Sequence, residues 1–110
     1  MRVLLDECLP KDLAGGLPGH HVKTVPQAGW ASVSNGKLLR RIADSGKFDV
    51  FVTVDKNLPR QHKVKDLPFA IVVLRAKSNR LEHLLPLAAE LLRRLSELRP
   101  GQVVIFSQPG

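Results

Sequence analysis

The sequence predicts an α/β domain, a three-layer α/β/α sandwich around a mostly parallel central sheet. Three observations predict it. Five short runs of β-branched and aromatic residues recur along the chain, helical patterns separate them, and the runs are largely continuous rather than alternating. A strand with one wet face alternates apolar and polar residues. A strand covered on both faces, as in a parallel sheet between helices, does not.

The runs are Arg2–Asp6, His20–Val25, Val50–Asp55, Phe69–Leu74 and Gln102–Phe106. The second follows the turn signal Leu17-Pro18-Gly19, and the fifth follows the break Pro100-Gly101. Val50–Asp55 is too short for a helix and is bounded by a polar segment and the loop at Pro59. Between the strands, Pro10 suits a first helical position, with Leu13, Ala14 and Leu17 behind it at helical spacing. Asn35 reads as the N-cap of a helix carrying Leu38, Leu39, Ile42 and Ala43, which Gly46 would stop. Asn79, with Glu82 three residues on, resembles a capping box for the last helix. Leu81, Leu84, Leu85, Ala88, Leu91, Leu92, Leu95 and Leu98 give that helix a wide apolar stripe, and Pro86 predicts a kink in it. Residues 1–106 form one domain, and the tail 107–110 is expected to fray.

Composition sets the broad class. With 110 residues, 44% hydrophobic and 25% charged, the chain is long enough for a single buried core. No apolar run approaches the roughly 20 residues of a membrane span, so no membrane association is expected. Asp6 and Glu7 follow the short apolar start directly, which does not read as a secretory leader; a cytoplasmic location is the expectation. The single cysteine, Cys8, excludes an internal disulfide and is expected to be buried and inert. Four histidines without a cysteine cluster argue against zinc, and the glycines form no phosphate-loop or dinucleotide fingerprint. The absence of Tyr removes a stacking platform for bases. Trp30, in the loop Gln27–Ser32, suits core packing or an interface.

The formal net charge of +7 is unevenly spread. Residues 1–55 carry seven Lys/Arg against six Asp/Glu, whereas residues 56–110 carry ten against four. Between Lys56 and Arg80, the seven bases Lys56, Arg60, Lys63, Lys65, Arg75, Lys77 and Arg80 face only Asp66. Such a run is either a solvated face or a track for phosphates.

The acids decide which reading to develop. Asp6 ends the first strand and Asp55 the third, so in a parallel sheet both emerge at the carboxyl edge, where ligand crevices form. Two carboxylates at about 4 Å repel by about 4 kcal/mol at an effective dielectric near 20, so the pair calls for a cation. A divalent metal with oxygen ligands, or a Lys or Arg, would supply it. Glu7 and Thr53 belong to the same edge as candidate helpers, Glu7 as a further candidate metal ligand. The plainer alternative is that both acids close the turns after their strands.

The pattern Val3-Leu4-Leu5-Asp6-Glu7-Cys8-Leu9-Pro10, then Gly19-His20-His21-Val22 with Thr24-Val25, then Thr53-Val54-Asp55-Lys56-Asn57-Leu58, resembles the short PIN-like proteins. These are relatives of the VapC-type toxins of bacterial toxin–antitoxin modules. The resemblance implies a PIN-like sandwich whose acids bind Mg²⁺ or Mn²⁺ and cut RNA, with Asp6 and Asp55 as the metal-binding and catalytic pair. It also implies a candidate antitoxin as protein partner, and a homo-oligomer is a further candidate. Where many PIN-like sequences carry acids, this chain has Asn35 and Asn57, which offer an oxygen but no charge, so weaker metal binding is expected. The plainer reading makes Asn35 an N-cap and Asn57 a turn residue. Lys56, Arg60 and Arg75 would contact phosphates near the acids, with Lys77 and Arg80 extending the track. Two other readings stand beside this one. A binding module without chemistry would use the same domain to dock a partner. A receiver-type phosphoacceptor would use Asp55, although receivers keep a Ser/Thr after the fourth strand and a Lys after the fifth.

Overall fold

The computed structural model describes residues 1–108. Five strands, β1 (Arg2–Leu5), β2 (His21–Thr24), β3 (Val50–Thr53), β4 (Ala70–Arg75) and β5 (Val103–Ser107), form one sheet in the order β2-β1-β3-β4-β5. Every pairing is parallel. The helices are α1 (Asn35–Ser45), the single turn α2 (Leu58–Gln61) and α3 (Leu81–Arg94). Lys11–Gly16, expected as an ordinary helix, is a 3-10 helix.

Continuous apolar runs and two covered faces go together here, as the sequence predicts. On the first face Val3, Leu5, Val50, Val52 and Val72 pack under Leu13 of the 3-10 helix, Leu17 just after it, and Leu84, Leu87, Ala88 and Leu91 of α3. On the second, Leu4, Phe51, Ile71 and Val73 pack under Leu38, Leu39 and Ile42 of α1, with Leu58 of α2. Each fully buried Leu, Ile or Phe contributes about 1.5–3 kcal/mol. Trp30 joins the second cluster edge-to-face with Phe48, the ring centroids 6.0 Å apart.

Two helix-end expectations change. The N-cap of α1 is Ser34, so Asn35 is the first helical residue and its side chain is free for other work. Arg80, not Asn79, is the N-cap of α3; the Ser78 hydroxyl accepts the Arg80 N–H, and Glu82 pairs with the Arg80 guanidinium. The capping box is therefore absent. Pro86 lies inside α3, and Glu82, whose carbonyl loses its donor there, is exposed like Pro86, so water can serve it. Gly46 does stop α1, at φ 63°. At the C-terminus β5 reaches Ser107, and the Gln108 N–H bonds to the Arg75 carbonyl, so this part of the expected tail is held; residues 109–110 lie outside the described residues.

One connection departs from the usual rule. The steps β3 to β4 and β4 to β5 run the same way across the sheet. The first is made over the second face, through Leu58, Val64 and Leu67, whereas α3 makes the next over the first face. The two crossovers therefore have opposite hands, against the strong preference for a single hand. In consequence the second face has no helix above β5 among the described residues. Val104 and Phe106 are packed on the α3 side, while Ile105, pointing the other way, is 51% exposed.

Candidate functional site

Strand order locates the crevice. The chain leaves β1 for β2 on one side and returns across β1 to β3 on the other, so the switch point lies between β1 and β3. Their register, Leu5 opposite Val52, puts Asp6 beside Thr53 just past the paired segment, and the Asp6 N–H bonds to the Val52 carbonyl. At the opposite end the two strands are tied by Arg2 and Asp49. The Asp49 N–H donates to the Arg2 carbonyl, and the Arg2 N–H and guanidinium donate to the Asp49 carboxylate. Hydrogen bonding from Arg2 holds the Asp49 carboxyl below its ordinary range.

Asp6 and Asp55 are joined through Thr53. The Thr53 hydroxyl, with no exposed surface, donates to Asp6 Oδ2 at 2.6 Å and accepts the Asp55 N–H at 3.1 Å. The other Asp6 oxygen accepts the Glu7 N–H at 2.8 Å. Asp55 Oδ1 accepts the Asn57 N–H at 2.9 Å, closing the turn, and Oδ2 accepts the Asn35 amide at 3.2 Å. So Asn35, which the sequence suggests as a cap, turns its side chain onto Asp55. Asn57 reaches Asp55 by its backbone alone among these bonds.

Glu7 takes a different part. Both of its oxygens accept the Ser32 N–H, at 3.2 Å each. Ser32 is the one non-glycine at positive φ, 64°, among the described residues. The carboxylate thus braces a strained turn that leads into Ser34 and Asn35. Cys8, expected to be buried, is exposed. Its sulfur is nevertheless sheltered enough that desolvation pushes the thiol pKa up, and the Asp6 charge pushes it further.

Whether these groups fit a divalent cation follows from their chemistry. An ionised carboxylate has about four acceptor sites, so Asp6 and Asp55 each keep capacity after their two bonds. Among the described residues no three His, Cys, Asp or Glu side chains are placed to share an ion. A closed protein cage is thus not formed. Magnesium, however, keeps several waters and is commonly held by one or two carboxylates plus substrate phosphates, and two acids with the Asn35 amide oxygen fit that mode.

The predicted phosphate track divides. Lys56, Arg60 and Arg75 come together around a cleft of about 320 Å³ with Pro59, Val103 and Ile105. Lys56 and Arg75 also line a second cleft of about 210 Å³ that includes Asn79. Lys77 and Arg80 line neither; the Lys77 N–H bonds Gln108 and Arg80 pairs with Glu82 at 3.0 Å. One residue beside the start of α1 has no signal in the sequence. His62 stands beside Gly36, its Cε1 3.4 Å from where a Cβ would lie, and with it lines a cleft of about 460 Å³ along α1. Only the folding of loop 62–68 over the helix brings it there.

The receiver-type reading finds the acids at the right strand ends. At the ends of β4 and β5, however, stand Arg75, then Ser107 and Gln108, with no lysine after β5 in the described residues. No helix in the described residues is long and apolar enough to cross a membrane. Comparison with family models, with curated proteins and with solved structures finds no match to this chain.

Proposed function

We propose that the chain is a divalent-metal-dependent ribonuclease of the PIN-like, toxin type, with a site weakened by the loss of acidic ligands. The observation that carries the reading is the junction of two carboxylates through one buried hydroxyl at the switch point of a parallel sheet. Asp6 and Asp55 would hold Mg²⁺ or Mn²⁺, with the Asn35 amide oxygen as a neutral third donor and Asn57 contributing through its backbone turn. A bound ion would polarise the phosphate and acidify a water. Thr53 fixes the rotamer of Asp6, and Glu7 fixes the loop that delivers Asn35. Lys56, next to Asp55, and Arg75 across the small cleft would hold the phosphodiester, and such binding weakens steeply with salt.

RNA cleavage in Mn²⁺ tests the reading. Asp6→Asn should abolish turnover, and Thr53→Val should cost about 10- to 100-fold, as loss of a group orienting a metal ligand does. Equal rates for wild type and Asp6→Asn would end it. The missing third carboxylate favours a second reading, a binding module without turnover. In that case calorimetry with Mn²⁺ gives no heat that Asp55→Ala removes.

A further inference from the structure

We propose that the open second face of β5 is a docking site for an acidic, extended peptide segment of a protein partner, added to the sheet as a sixth strand. Three observations converge on it. First, among the described residues β5 is an edge strand paired with β4 alone, and its sequence Val-Val-Ile-Phe-Ser contains neither charge nor proline. Natural edges are usually guarded by such residues; the opposite edge, β2, carries His21 and Lys23. Second, with α3 on the first face, Ile105 and Val103 floor an uncovered cleft. Third, its walls are Lys56, Arg60 and Arg75, all exposed, and none is in an ion pair among the described residues.

The chemistry of the cleft selects the occupant. A strand added to β5 would hydrogen-bond along the free edge and present alternate side chains to the sheet face. Apolar residues at those positions would cover Ile105, and flanking carboxylates would meet the three cations. RNA suits the cations but not the floor, which is aliphatic and has no ring on which a base could stack. A second copy suits the edge but not the walls. Pairing β5 with β5 about a two-fold axis would put six cations on one continuous face. Because Lys56 and Arg75 also stand in the proposed phosphate path, docked peptide would compete with RNA, yet the docking does not rest on the nuclease reading.

The probe is a capped, fluorescein-labelled ten-residue peptide in which Glu alternates with Val and Ile, titrated with the full chain and followed by anisotropy. Saturable binding is expected, weakened about tenfold or more by Arg60→Glu and separately by Ile105→Ser, and unchanged by Asp6→Asn. A control peptide with Lys in place of Glu should not bind. Because residue 105 is exposed, Ile105→Ser should fold, which circular dichroism checks. Three results would overturn the proposal. One is no saturable binding of the acidic peptide. Another is a dimer by sedimentation that Ile105→Ser dissociates. The third is equal binding of the Lys control.

Discussion

Thr53 has one proton to give and gives it to Asp6. Thr53→Val keeps the shape and leaves a carboxylate oxygen at the sheet edge without its donor, which costs about 1–3 kcal/mol. Urea unfolding should show that loss, and Thr53→Ser should recover most of it. Cys8 provides an independent probe of the same carboxylate. With its thiol pKa raised by desolvation and then by Asp6, less thiolate exists near pH 8 than in a free cysteine. Alkylation by iodoacetamide should be slow and its pH profile displaced upward, and Asp6→Asn should speed it. The placement of Asp6 and Asp55 was legible because a residue that ends a strand has its position set by the strand. The contact of Asn35 was not. Capping the helix at Ser34 instead moves the N-cap by one residue and turns the Asn35 amide from the helix end onto Asp55. Nothing local signals the bracing of Ser32 by Glu7, which joins residues 25 positions apart.

Element ends depend on a few backbone positions. Gly101, at φ +80°, precedes β5, and a Cβ there would collide with the Lys65 carbonyl oxygen. Gly101→Ala therefore combines left-handed strain with overpacking and should destabilise by about 3 kcal/mol or more, read as a fall in the urea midpoint. Gly46→Ala, which meets open space at φ +63°, pays only the first of these terms, about 1 kcal/mol. Strands and helices themselves were legible from periodicity, since five apolar runs and two amphipathic stripes leave little choice. Their caps were less so, because Ser78, Asn79 and Arg80 are all polar and the local sequence does not rank them. At the far edge, the Arg2–Asp49 bonds align β1 with β3. Asp49 has a lowered pKa in the folded state, so its contribution is present above the ordinary carboxylate value of about 4 and is lost as pH falls through the lowered one. Asp49→Asn should lower Tm at pH 7 but not in strong acid, and high salt should shrink the difference.

Across the whole molecule, the parallel sheet and its two cores follow from the continuous apolar strands. The strand order and the side taken by α3 do not, since the apolar stripe of that helix would suit either face of the sheet. That choice determines which surface is left bare at β5, and with it the cleft walled by Lys56, Arg60 and Arg75. It also ties both halves of the chain to one late segment. Val3, Leu5 and Val50 find their cover in Leu84, Leu87, Ala88 and Leu91, which are made after them. A chain still emerging from the ribosome therefore holds half a hydrophobic sheet open until α3 is free to cover it, and it is in that interval that chaperones and proteases meet it.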